Sequence, residues 1–156
     1  AFAAAAAVLD ATAEKVFTLG DAAGAGSAMK AVNQLLAGVH IAAMAEALTF
    51  GLSQGVSAEK FVEVIPECAG TSWMLENRAP HIVAGDYTPH SSVNIWPKDL
   101  GIVLDIARGA GFEAPVTKAA LAQFVVAAAM GLGGEDDAAV AKVYAARAGV
   151  ALPKND

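Results

Sequence analysis

Lys30, Asn33 and Gln34 stand three and four positions apart in the run Gly24-Ala-Gly-Ser-Ala-Met-Lys-Ala-Val-Asn-Gln-Leu-Leu-Ala-Gly38. Side chains at that spacing share one face of a helix, so an ammonium group and two carboxamides converge on one spot. Such a set can hold a small polar substrate and exchange a proton with it. A lysine on a helix is most often a solvated surface residue. Here its sequence neighbours Ala28, Met29, Ala31, Val32, Leu35 and Leu36 are apolar. That predicts a partly buried lysine whose pKa is pulled down, as proton transfer near neutral pH requires. Gly24 and Gly26 would let a second backbone or a ligand come close.

A second group, Lys98-Asp99-Leu100-Gly101-Ile102, reads by itself as a helix with an acid in its first turn, where the helix dipole favours it. The remaining polar residues say less. His40 and Glu46 are six apart on the long helical segment and do not face each other, and Glu46 reads as paired inside a bundle. His81 and His90 fall in a segment expected to be loop. No His, Cys, Asp and Glu set has metal-ligand spacing, so no metal is expected. Cys68 is the only cysteine, which excludes an intrachain disulfide and suits a reducing cytoplasm. It reads as a small core residue.

The elements that must position these groups are helical. The chain has 156 residues, 56% of them hydrophobic and 17% charged, with a net charge of −6. That suffices for one domain with a real core. The acidic balance argues against a nucleic-acid surface. No apolar run is expected to reach the roughly 20 residues of a membrane span. Alanine is abundant and β-branched runs are few, which favours helix. A proline-free pattern runs from about 27 to 53 and stops at Gly55, and Ser57 caps a helix reaching about Cys68, with Pro66 expected to kink or end it. Residues 69–92 are less regular, with at most one helical turn at Trp73–Asn77. Helices follow at about 96–109, 115–130 and 135–147. At the start, Ala1–Glu14 reads as a helix and Lys15–Leu19 as a short strand, both cut from a larger protein. Gly24-Ala25-Gly26-Ser27-Ala28-Met29 lacks the third glycine of a dinucleotide fingerprint and precedes no βαβ unit, and with Met29 before Lys30 it is not a phosphate-binding P-loop either.

Gly26, Lys30, Asn33 and Gln34, together with Lys98-Asp99-Leu100 and the segment Thr71–Arg78, resemble the β-hydroxyacid dehydrogenases, the 3-hydroxyisobutyrate dehydrogenase family. The resemblance covers nearly the whole chain. It implies an all-α bundle around one long central helix, like the C-terminal domain of 6-phosphogluconate dehydrogenase. Residues 1–19 would be a remnant helix and strand of an N-terminal NAD(P)-binding domain, and 20–156 a substrate and dimerisation domain. It further implies an oxidoreductase that takes NAD or NADP, acts on a small hydroxy acid and forms a homo-oligomer. Lys30 would exchange the hydroxyl proton, Asn33 and Gln34 would hold the substrate, and Lys98 would reach the cofactor. The family's commonest form has Asn where Gln34 stands. The stretch Val93-Asn94-Ile95-Trp96-Pro97 also departs from the usual pattern. It lies near the substrate in the family, which makes Asn94 a substrate contact and Trp96 a neighbour. It is closer to the branch acting on four-carbon sugar acids such as threonate. The chain alone is expected to be inactive. Two alternatives remain: a non-catalytic helical association module, which has no need of Lys30, and an imine reductase of the same architecture, a group that typically lacks that lysine.

Overall fold

A computed structural model describes residues 2–154. It divides after Lys30 into two compact units, Ala1–Lys30 and Ala31–Asp156. Seven α-helices are present among the described residues: α1 (Phe2–Thr12), α2 (Ala25–Ser53), α3 (Ala58–Val64), α4 (Trp73–Ala84), α5 (Ile95–Gly109), α6 (Pro115–Ala127) and α7 (Ala141–Ala148). Short helical turns lie at Ile65–Glu67, Ala128–Leu132 and Asp137–Val140.

In the first unit α1 forms as its alanine content dictates, with no buried residue. The strand expected at Lys15–Leu19 is absent, and residues 15–20 carry no regular structure. A strand needs a neighbour for its ladder of hydrogen bonds, and the described residues contain no strand to pair with. Their one bridge joins Ser92 to Asp136.

The second unit holds the core. Along α2 the buried positions are Gly38, Ile41, Ala42, Met44, Ala45, Leu48 and Thr49. Their three- and four-residue spacing makes one stripe, and it begins only at Gly38. Ile41, Met44 and Leu48 pack with Leu75 and Ile82 of α4, Trp96 and Leu100 of α5, Phe124 of α6, and Val140 and Val143. Each of the large side chains contributes roughly 1.5–3 kcal/mol by leaving water. By length and composition α2 and Pro115–Leu132 could each cross a bilayer, contrary to the sequence expectation; in this fold α2 supplies the core stripe.

Local chemistry sets the boundaries. Gly55, at φ +84°, follows the end of α2. Ser57 caps α3 by accepting from the Lys60 amide at 3.2 Å. Pro66 replaces α-helix with a 3-10 turn, because it has no N–H to continue the ladder. The stretch expected to be irregular instead forms α4. Its N-cap Ser72 accepts from the Leu75 amide at 3.1 Å, and Gly85 ends it in the left-handed conformation. Pro80 lies inside α4 without ending it; Leu75, Ala79 and Ile82 bury one face of the helix, and that packing outweighs the lost hydrogen bond.

Candidate functional site

The site is built where α2 meets α5, and a glycine makes that meeting close. A Cβ on Gly38 would lie 2.8 Å from Cδ2 of Leu100 and 2.8 Å from Cε3 of Trp96. Trp96 is 3% exposed and held from three sides. Its Nε1 donates to Oδ2 of Asp137 at 2.9 Å, its ring stacks on Phe124 with centroids 5.6 Å apart, and α2 closes the remaining face. Asp137 is fully buried and also accepts from Nε of Arg78 at 2.6 Å. Burial pushes the Asp137 carboxyl above its ordinary range, with the Trp96 and Arg78 contacts working against that rise. Arg78 also donates to Asn77. A buried charge is tolerable only when paired in this way.

Gln34 lies one turn before Gly38 on α2, and Asp99 lies beside Leu100 on α5. The close crossing brings them together: Nε2 of Gln34 donates to Oδ2 of Asp99 at 2.6 Å. Asn33 in turn donates from Nδ2 to Oε1 of Gln34 at 3.2 Å. Nζ of Lys98 lies 3.3 Å from Oδ1 of Asp99, its side chain 70% exposed against 18% for Asp99. The helix face foreseen from Asn33 and Gln34 and the Lys98-Asp99 pair therefore form one polar chain, Asn33 to Gln34 to Asp99 to Lys98. Asp99 is the member that sequence reasoning undervalued. Its adjacency to Lys98 was visible, but nothing local points it at Gln34.

Asn94 occupies the N-cap position of α5 and is exposed. It shares the α5 face with Lys98, four residues on. Its amide N–H donates to the Gly133 carbonyl at 3.1 Å, and its side chain covers Gly133 so closely that a Cβ there would lie 2.5 Å from its Oδ1. Trp96, expected near substrate, instead faces the core. Lys30 lies on α2 in the turn before Asn33 and Gln34, and it is exposed rather than half-buried. Of the apolar neighbours meant to enclose it, Ala31 and Leu35 are half-buried, but Met29, Val32 and Leu36 are themselves exposed, at 51%, 52% and 47%.

Three further expectations change. Cys68 is exposed, because the turn after α3 carries it out of the core. His81 lies on α4, not in a loop, with Nδ1 3.0 Å from Oδ1 of the fully buried Asp136 and its ring edge-on to His90. Glu46 is exposed, but its charge reaches Tyr144. Burial pushes the Asp136 carboxyl up, but hydrogen bonds from the Ala138 and His90 amides and the nearby His81 outweigh it, so the group lies below the usual carboxylate range. Asp136 thereby caps the turn at Asp137–Val140 and ties it to α4. Among the described residues no group of three or more His, Cys, Asp or Glu is placed to hold a metal.

Residues 24–144 match the family described as "NAD-binding of NADP-dependent 3-hydroxyisobutyrate dehydrogenase". The chain belongs to this family. Among its relatives, an L-threonate dehydrogenase of Cupriavidus necator is 55% identical over 146 residues, covering 94% of this chain and 48% of that protein. An L-threonate dehydrogenase of Escherichia coli K12 is 47% identical, with 94% and 47% covered. The crystal structure of a 3-hydroxyisobutyrate dehydrogenase from Salmonella typhimurium superposes with a TM-score of 0.88 at 48% identity, covering 92% of this chain and 50% of that one. The chain thus spans about half the length of the curated relatives it matches. The dehydrogenase-family match takes in Lys30, Asn33, Gln34, Asn94, Lys98 and Asp99.

Proposed function

We propose that this chain is the helical half of an NAD(P)-dependent hydroxyacid dehydrogenase acting on a four-carbon sugar acid of the threonate type. In this reading residues 1–19 belong with the nucleotide-binding domain and 20–156 form the substrate and dimerisation domain. The observation that carries it is the 2.6 Å bond from Gln34 to Asp99. It joins two motifs 65 positions apart into one polar site, on a chain whose relatives are named for a sugar-acid dehydrogenation.

Each residue then has a task. Lys30 exchanges the proton of the substrate hydroxyl as it is oxidised. Asn33 and Gln34 orient the hydroxyl and carboxylate end, fixing the reacting carbon, and Asn94 adds an exposed amide for a further hydroxyl. Lys98 fits a cofactor contact, since its side chain is exposed and its ammonium lies beside Asp99. The nicotinamide, when bound, accepts the hydride. The phosphates require a glycine-rich loop at a helix N-terminus within a βαβ unit, and the described residues contain no strand.

The test joins this chain to the unmatched half of the Cupriavidus L-threonate dehydrogenase and measures NAD(P)H formation on L-threonate. Lys30→Met lowers kcat by about 10²–10⁴-fold with cofactor affinity nearly intact, and a variant keeping more than about a third of the rate refutes the role of Lys30.

The reading includes a two-fold dimer in the cytoplasm. Val32, Leu36 and Phe50 are 52%, 47% and 65% exposed on α2, an apolar face of the kind that marks a protein contact. Sedimentation of the chain at micromolar concentration gives a dimer, and a clean monomer refutes this part.

A further inference from the structure

We infer that Asp99 is a positioning residue that sets the polarity of the substrate-facing amides, and that it does so through Gln34. The inference deepens the reading above and rests on it for its catalytic meaning, but the geometry stands separately. A carboxamide has one accepting end and one donating end, and the two can exchange by a half turn of the side chain. Nothing in the spacing of Asn33 and Gln34 chooses between the two orientations. Asp99 does. Its carboxylate only accepts, so Gln34 must turn its Nε2 toward it, as observed at 2.6 Å. Gln34 then presents Oε1 the other way, and Nδ2 of Asn33 donates to it at 3.2 Å. With one Nδ2 hydrogen committed there, Asn33 presents Oδ1 and its second N–H to a ligand. The carboxylate on α5 thereby decides which atom of an amide on α2 meets the substrate hydroxyl.

Three observations favour this over a merely structural ion pair. The Gln34 bond is short, and its acceptor is charged, the stronger class of hydrogen bond. Asp99 is 18% exposed while Lys98 is 70% exposed, so the lysine contact is a surface pair of small worth and Gln34 is the partner that matters. Asp99 also sits beside Leu100, whose side chain is locked against Gly38, so the carboxylate is held by the core rather than by a flexible loop.

The chain itself provides the deciding test. Side-chain amide resonances of Asn33 and Gln34 are assigned in wild type, Asp99→Asn and Asp99→Leu. Asparagine keeps an accepting oxygen, so the Asn33 resonances stay near their wild-type positions. Leucine removes the acceptor, and both amides shift from their wild-type positions. Gln34→Met, which cuts the connection without touching Asp99, shifts Asn33 in the same way. Asn33 resonances unmoved by both Asp99→Leu and Gln34→Met overturn the inference. In the joined enzyme, Asp99→Leu raises the KM for L-threonate roughly tenfold or more, the loss of one hydrogen bond to a charged group, while Asp99→Asn stays within about threefold. Equal KM values in the two variants also overturn it. An inactive joined wild type counts against the proposed function alone, because the resonance measurement still decides the role of Asp99.

Discussion

Replacing Gly38 by alanine tests the packing that creates the site. At most helix interiors that change is favourable by up to about 1 kcal/mol, because glycine has the greater backbone freedom to lose. At Gly38 the new methyl meets Cδ2 of Leu100 and Cε3 of Trp96, each at 2.8 Å. Carbon atoms rest at about 3.5–4.0 Å, so the overlap is about 1 Å on two fronts. Neither neighbour has room to yield. Leu100 is fully buried, and Trp96 is tied to Asp137 and stacked on Phe124. Overpacking of a rigid core costs about 1–3 kcal/mol, and this geometry belongs at the upper end. Subtracting the helix gain leaves a net loss of about 2 kcal/mol. For a chain of this length the expected fall in Tm is roughly 4–8 °C. Urea unfolding followed by circular dichroism measures it, with an unchanged m-value showing that the native state alone is affected. Gln34 lies one turn away, so separation of α2 from α5 also loosens its bond to Asp99. A Gly38→Ala protein as stable as wild type, or more stable, refutes the close crossing and with it the route by which Gln34 reaches Asp99.

In the joined enzyme, Lys98→Ala raises the KM for NAD(P) more than Lys30→Met does; a change confined to the substrate's KM removes Lys98 from the cofactor. Asp137→Leu leaves the Arg78 guanidinium and the Trp96 N–H without their buried partner, and breaking such a pair costs about 3–5 kcal/mol, so urea unfolding at near-wild-type midpoint refutes the network. The chain has two tyrosines, and burial first, then the charges of Glu135 beside Tyr87 and Glu46 beside Tyr144, push both phenols up to about 12. Folded pKa values above the unfolded value of about 10 mean that this stabilisation is complete below pH 10 and lost as pH rises toward 12. Ultraviolet titration of the folded chain therefore shows no phenolate step near pH 10, and such a step without unfolding refutes the burial.

Helices α2, α5 and α6 were legible because their signals are local. Alanine content, proline-free length and stop residues act within a few positions, and the placing of Asn33 and Gln34 three and four positions after Lys30 follows the helical repeat alone. Where the reading failed, a distant partner decided the outcome. Pro80 argued for loop, but Leu75, Ala79 and Ile82 bury a face that holds α4 together around it. Lys15–Leu19 has the composition of a strand, yet a strand is a property of two segments. Trp96 lies in the stretch expected near substrate, but Asp137, 41 positions away, draws its indole N–H into the core.

The residue types of the site were therefore written in the chain: one lysine and two amides on one helix, and a lysine and an acid at the start of another. Which of them touch was decided only by the tertiary structure. Gln34 meets Asp99 because Gly38 lets two helices approach where any larger residue would hold them apart, and because a buried Arg78–Asp137 pair fixes the tryptophan that α2 packs against. The helical repeat orders neighbours three and four positions apart. Contacts across 65 positions depend on volume and on the pairing of buried charge, and these exist only once the core has closed.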